Sequence, residues 1–316
     1  MNPGQKGEMR RGGRQIAGDG SSILSGSGFT VVELLVVIGV LSLLMGVLLP
    51  ALSQARRAAR AVIGGQRQRE VVLAVSLYAS DHHGRYPESV ATAAMLGRTW
   101  RWQEPRMMKA CQPRAGGYQC SVASYLRAYL PKAITLWCPS SPAVYPYMND
   151  VWQAGELWDN PETGFTDDSV LGSYCFYWSY VGYLSEQERP FRGPRFEMGQ
   201  IGCSRLLTSD YFGFNHWRSP DAFGSCERFA RAEVTTETHE AASYWVHNTQ
   251  GQPDRAAVHL KLQAGFTDGH IETYRPAETT ILEVSETLDG TAPTFSGVGL
   301  GPGLFHIPRT AAASAR

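Results

Sequence analysis

The stretch GFTVVELLVVIGVLSLLMGVLLPALSQARRAAR, Gly28 to Arg60, decides how the rest of the chain is read. It is an apolar run with one carboxylate near its start, Glu33, and a cluster of arginines after it, Arg56, Arg57 and Arg60. Leu34 to Leu49 is 16 residues without a charge, and Phe29 to Leu52 taken as one helix is 24 residues. At about 1.5 Å per residue that helix is roughly 36 Å long, enough to cross a hydrocarbon core of roughly 30 Å. A buried helix of a soluble core is the competing reading for the 16-residue stretch.

The residues before the run weigh against that competitor. Positions 1–28 hold Lys6, Arg10, Arg11 and Arg14 against Glu8 and Asp19, and Gly, Ser and Gln fill most of the rest. This composition reads as an unfolded basic leader. Arg10-Arg11 is followed by Gly12 and Gly13 rather than an apolar residue, which argues against a twin-arginine export signal. An ordinary secretory signal places its small-residue cleavage site beyond the apolar core. Here the far side continues as Ser53-Gln54-Ala55-Arg56-Arg57-Ala58-Ala59-Arg60, good helix formers without a stop. The small residue stands on the near side, at Gly28. A cut there leaves the run attached and makes Phe29 the first residue.

Gly28-Phe29-Thr30-Val31-Val32-Glu33-Leu34-Leu35-Val36-Val37-Ile38, with Pro50 further along, resembles the N-terminal cleavage and methylation motif of type IV prepilins and type II secretion pseudopilins. The resemblance implies cleavage after Gly28 by a membrane prepilin peptidase and methylation of the Phe29 amine. It also implies a helix kink at Pro50 and assembly with other pilin-like subunits into a pilus or secretion fibre. The leader then lies in the cytoplasm, the span in the inner membrane as a single pass, and the head in the periplasm or at the cell surface. Arg56, Arg57, Arg60, Arg67 and Arg69 beyond the span leave orientation open on charge alone.

A carboxylate inside a membrane helix costs about 2.5–3.5 kcal/mol on insertion scales, so Glu33 should have a partner. The α-amine that cleavage creates on Phe29, in the same or a neighbouring subunit, is the nearest cation. A buried pair of this kind sets register more than it adds stability. An acid that merely reaches back to the interface is the alternative.

Beyond the span, Leu52, Ala55, Ala59, Val62, Gln66, Leu73 and Leu77 recur at spacings of three, four or their sums, predicting an amphipathic continuation with this stripe as its apolar face. Gly64-Gly65 is expected to weaken or bend it, and Asp81-His82-His83-Gly84 to end it. From Arg85 aromatics and turns become dense. Strands are expected at 134–137, 174–181, 206–208 and 257–262, and a hairpin at 265–274 around Asp268-Gly269. Residues beyond Gly290, rich in Gly, Pro and Ala, are expected to form a mobile tail.

Tyr86-Pro87, Trp137-Cys138-Pro139-Ser140, Gly172-Ser173-Tyr174 and Phe266-Thr267-Asp268-Gly269-His270 carry a second resemblance, to bacterial prepilin-like proteins ending in a histidine, nine residues and Asp-Gly. Here eight residues separate His259 from Asp268, which leaves the role of both undecided.

Chemistry is sparse. Lys plus Arg and Asp plus Glu are both 29, so no positive excess points to nucleic acid, and none is expected as a partner. The six cysteines, at 111, 120, 138, 175, 203 and 226, all follow the span. An even number in an oxidising compartment allows disulfides in 15 pairings, with Cys111–Cys120 favoured by its short loop; buried thiols are the alternative. No Cys-x-x-Cys occurs, and Ser243 stands where a zinc-protease helix beginning His239-Glu240 needs its second histidine. No metal centre or cofactor is expected, apart from a structural calcium at Asp167-Asp168, which the family's heads sometimes carry. Asp81-His82-His83 and His259-Asp268-His270 are metal candidates only if folding gathers them. Trp100-Arg101-Trp102 and Tyr174 to Tyr180 offer either a glycan-binding face or core packing.

The reading is an α+β, pilin-like protein: a leader at 1–28, a helix at 29–81 that is transmembrane in its first half, an extracytoplasmic antiparallel β-sheet head at 82–290 packed on that helix, and a tail at 291–316. Its expected work is assembly, not catalysis. The alternatives are an anchored glycan- or polymer-binding protein that never joins a fibre, and an envelope hydrolase on a prepilin-type anchor.

Overall fold

The computed structural model describes residues 29–96, 104–110, 119–141, 144–161, 169–196, 202–214, 222–224, 242–244, 260–285, 287–292 and 304–313. The chain divides into two compact units, Met1–Ser53 and Gln54–Arg316, so the boundary falls inside a helix. That helix, α1, spans Val31–Asp81. It passes through Pro50, which removes the donor for the carbonyl four residues back, while Ser53 Oγ donates to the Pro50 carbonyl at 2.8 Å. It stops where the sequence predicts: His83 and Gly84 turn left-handed, with φ of 57° and 76°, and the Gly84 N–H donates to the Ala79 carbonyl at 2.7 Å.

The second unit adds, in chain order, α2 (Val90–Leu96), β1 (Met107–Lys109), α3 (Val122–Leu126), α4 (Met148–Ala154), β2 (Val170–Leu171), β3 (Tyr174–Phe176), β4 (Val181–Leu184), β5 (Arg189–Arg192), β6 (Leu206–Asp210), β7 (Phe212–Phe214), β8 (Ala222–Gly224), β9 (Ala242–Tyr244), β10 (Leu262–Phe266), β11 (Ile271–Tyr274), β12 (Thr279–Val284), β13 (Leu304–Pro308) and α5 (Arg309–Ala313). Among the described residues these strands form antiparallel sheets in the orders β1-β2, β11-β10-β6-β3 and β5-β4-β12-β13-β7-β8-β9. The fold is thus a long N-terminal helix followed by antiparallel sheets, α+β and compatible with a pilin-like architecture. The hairpin at Asp268-Gly269 is β10–β11, with Gly265 opposite Ile271.

Several expectations fail for identifiable reasons. The 134–137 strand is a 3₁₀ turn, Ala133–Leu136, because the Thr135 and Trp137 amides close back onto Lys132 and Ile134 carbonyls at 3.2 and 3.1 Å. The 174–181 strand is two strands in two sheets, split where Ser179 adopts a φ of 52°. Of the expected 257–262 strand, 257–259 lie outside the described residues, and β10 begins at Leu262. The expected tail is the largest error. Leu304–Pro308 lies between β12 and β7 in the middle of a sheet, with Phe305 and Ile307 buried, and Ala311 and Ala312 of α5 are buried as well. At 305–308 the apolar composition goes with burial.

Candidate assembly helix and its docking groove

At its start α1 is closed by its own side chains. The Thr30 N–H and Oγ1–H both donate to Glu33 Oε2 at 2.8 Å, and the Glu33 N–H donates back to Thr30 Oγ1 at 3.2 Å. This is a capping box, Thr at the N-cap and Glu at the third helical position. The signal is present in the sequence as Thr30-x-x-Glu33, so the helix start itself supplies Glu33 with partners. The cap uses one carboxylate oxygen; among the described residues Oε1 accepts no hydrogen bond. Phe29 is exposed, and Gly28 lies outside the described residues.

The first half of α1, to Ser53, has every side chain exposed, and it is long and apolar enough to cross a membrane. The second half is two-faced. Gly64, Gln68, Val71, Val72, Ala74, Val75 and Ala79 are buried against the sheet unit, a stripe at helical spacing. The predicted apolar stripe is the other one, and it stays out: Leu52, Val62, Leu73 and Leu77 are 48, 72, 58 and 46% exposed. The helix docks by its face of glycine, alanine, valine and Gln68.

The reason is how closely the two backbones meet. A Cβ on Gly265 of β10 would lie 2.7 Å from Val72 Cγ2 and 2.8 Å from Thr208 Oγ1, closer than a side chain tolerates, so only glycine admits the helix there. A Cβ on Gly64 would meet Gln263 Oε1 at 3.0 Å. The glycine pair therefore serves contact, and α1 runs through it without a break.

A buried polar knot fixes the register of this contact. Gln68 Nε2 donates to Asp210 Oδ1 at 2.9 Å and to the Gln263 carbonyl at 3.2 Å. Thr208 Oγ1 donates to Gln68 Oε1 at 3.1 Å, and the Gln263 N–H donates to Asp210 Oδ2 at 2.8 Å. Gln68 and Thr208 have no exposed surface. Sliding the helix by one turn would strand these groups without partners, at roughly 1–3 kcal/mol for each neutral one. Gln68 was not among the residues singled out from the sequence; a lone glutamine in a helix gives no pattern to find it by.

Two motifs of the second resemblance, those around Trp137 and Tyr174, meet near the same stretch of α1. The Cys138 N–H donates to Ser173 Oγ at 2.6 Å, Arg67 Nη1 of α1 donates to the Trp137 carbonyl at 2.7 Å, and Tyr174 Oη donates to the Gly64 carbonyl at 3.5 Å. Tyr86 pairs elsewhere, its N–H donating to the Arg195 carbonyl at 3.1 Å. Asp268 is exposed in its turn, bonded to Arg205 Nη2 at 2.7 Å and to His270. Partial burial opposes its ionisation, but the bonds from His270 and the Arg205 charge together hold its carboxyl below the usual range.

Cys120, Cys138, Cys175 and Cys203 are buried and no disulfide joins any of them; Cys111, the expected partner of Cys120, and Cys226 lie outside the described residues. Burial pushes the Cys175 thiol up to about 12, against a lowering by its bond with Tyr177. Asp167-Asp168, His239-Glu240, His259 and Trp100-Arg101-Trp102 also lie outside the described residues. Tyr174, Tyr177, Trp178 and Tyr180 are buried, so they are core and not a glycan face. Asp81 accepts from Tyr129 Oη at 2.8 Å, and His82 stacks on Tyr78 with centroids 3.8 Å apart. Among the described residues no three His, Cys, Asp or Glu side chains gather as metal ligands. Comparison of the chain with protein-family models, curated proteins and solved structures returned no match.

Proposed function

We propose that this chain is a pilin-like or pseudopilin subunit, cut after Gly28 and joined to other subunits through α1. The observation that carries the reading is the division of that helix: every side chain of its first half is exposed, and its second half still presents Val62, Leu73 and Leu77 after docking. An apolar face so large is normally covered by lipid or protein. The motif around Gly28 and Phe29 supplies the processing step. After cleavage the Phe29 ammonium lies four residues from Glu33, whose Oε1 is open to it, while Oε2 caps the helix. The work is assembly, with prepilin peptidase and neighbouring subunits as partners and the inner membrane as the starting compartment.

One observation favours an anchored binding protein instead: a groove of about 430 Å³ lined by Pro131, Val144, Tyr145, Pro146 and Trp152, of a size and aromatic character that suits a polymer segment. Two measurements separate the readings. Intact mass of the membrane-extracted chain is expected to begin at methylated Phe29, and a mass that retains the leader would end the processing account. Leu41→Cys is expected to give a ladder of helix-to-helix crosslinks in membranes. Monomers alone would favour the anchored binding protein.

A further inference from the structure

The docking stripe of α1 does not end at Gly64; Gln54, Arg57, Ala58 and Ala61 continue the same face, but here the sheet no longer covers it. The result is a cleft of about 340 Å³ walled by α1 on one side and by Cys138, Ser140, Asp210, Lys261 and Gln263 on the other. Three cations, Arg57, Arg60 and Lys261, line it. All three are exposed, and among the described residues none has a hydrogen-bond or ion-pair partner. The lone acid of the lining, Asp210, has both oxygens engaged, by Gln68 Nε2 and by the Gln263 N–H. Against the single charge of Asp210 the three cations leave the lining net positive, and an anion complements it. Gln54 and Ser140 add uncharged donors.

The geometry points to a binding site for a phosphate group, held by Arg57, Arg60 and Lys261. A phospholipid headgroup and free phosphate share this chemistry. The lipid source rests on the membrane reading above, since the wall of the cleft follows the apolar run in sequence. The phosphate site itself does not depend on it. Arg56, adjacent in sequence but outside the lining, provides the internal control.

The test uses the full chain in neutral detergent, with binding measured by native mass spectrometry and calorimetry against phosphatidylglycerol, phosphatidylcholine and inorganic phosphate. Arg57→Gln, Arg60→Gln and Lys261→Gln are each expected to weaken binding roughly fivefold, and Arg56→Gln less than twofold. Their exposed positions allow the head to fold, which tryptophan fluorescence verifies. Phosphatidylglycerol retained over phosphatidylcholine, without inorganic phosphate binding, identifies a lipid headgroup; saturable inorganic phosphate binding sensitive to the same substitutions identifies the free ion. Binding of neither overturns the site, and so does an Arg56→Gln effect equal to that of Arg60→Gln, which would mean diffuse charge attraction. Failure of the Leu41 crosslinks with these results intact would sink the fibre reading alone.

Discussion

The two halves of α1 share one backbone and little else. From Val31 to Ser53 the helix is apolar apart from Glu33, Ser42 and Ser53, and every side chain is exposed; from Gln54 to Asp81 it has a docked face of glycine, alanine, valine and glutamine and an outward face of leucine, valine and arginine. The first half is stabilised locally, by a cap and by good helix formers, and needs an apolar surrounding to be comfortable. The second is held by tertiary contact and can be described without any surrounding at all. The difference teaches that the continuity of a helix says nothing about the continuity of its role.

Matched substitutions probe this contrast most strongly. Val75→Asp puts a carboxylate where no surface is exposed, and it is expected to cost about 4 kcal/mol. Val47→Asp, in the exposed half, should shift the head by less than about 0.5 kcal/mol. All eight tryptophans lie beyond Asp81, so their fluorescence during urea unfolding reports on the head alone. Equal effects from the two variants would abolish the division.

A smaller effect tests what holds the docked half in register. Gln68→Leu removes one donor from Asp210 and the acceptor of Thr208 and is expected to lower head stability by about 2–4 kcal/mol in the same unfolding measurement. A neutral outcome would mean that packing at Gly64 and Gly265 sets the register unaided. The smallest effect belongs to the other half: Thr30→Val removes the cap and is expected to cost about 1 kcal/mol in the first turn. Hydrogen exchange of the Glu33 amide should then quicken roughly fivefold, with the head's unfolding midpoint unchanged.

Much of the fold was legible beforehand because it is encoded locally. The apolar run of α1, the glycine that ends it and the Asp268-Gly269 turn each need only neighbouring residues to be read. The strands that were missed or misjudged needed partners far away in sequence. Leu304–Pro308 reads as a bland apolar segment until β12 and β7 are placed on either side of it. The 174–181 run reads as one strand until Ser179 turns the chain into a second sheet.

By itself the sequence determined that a long helix starts near Phe29, ends at Asp81 before Gly84 and is apolar enough in its first half to span a membrane. Only the tertiary structure decided which face of its second half is buried. Periodicity measures how much apolar surface a stripe offers, and by that measure the leucine face wins. Docking depends also on how near the backbones can come and on whether buried polar groups find partners. With Gly265 beneath Val72 and Gln68 joined to Thr208 and Asp210, the smaller face is the one that fits.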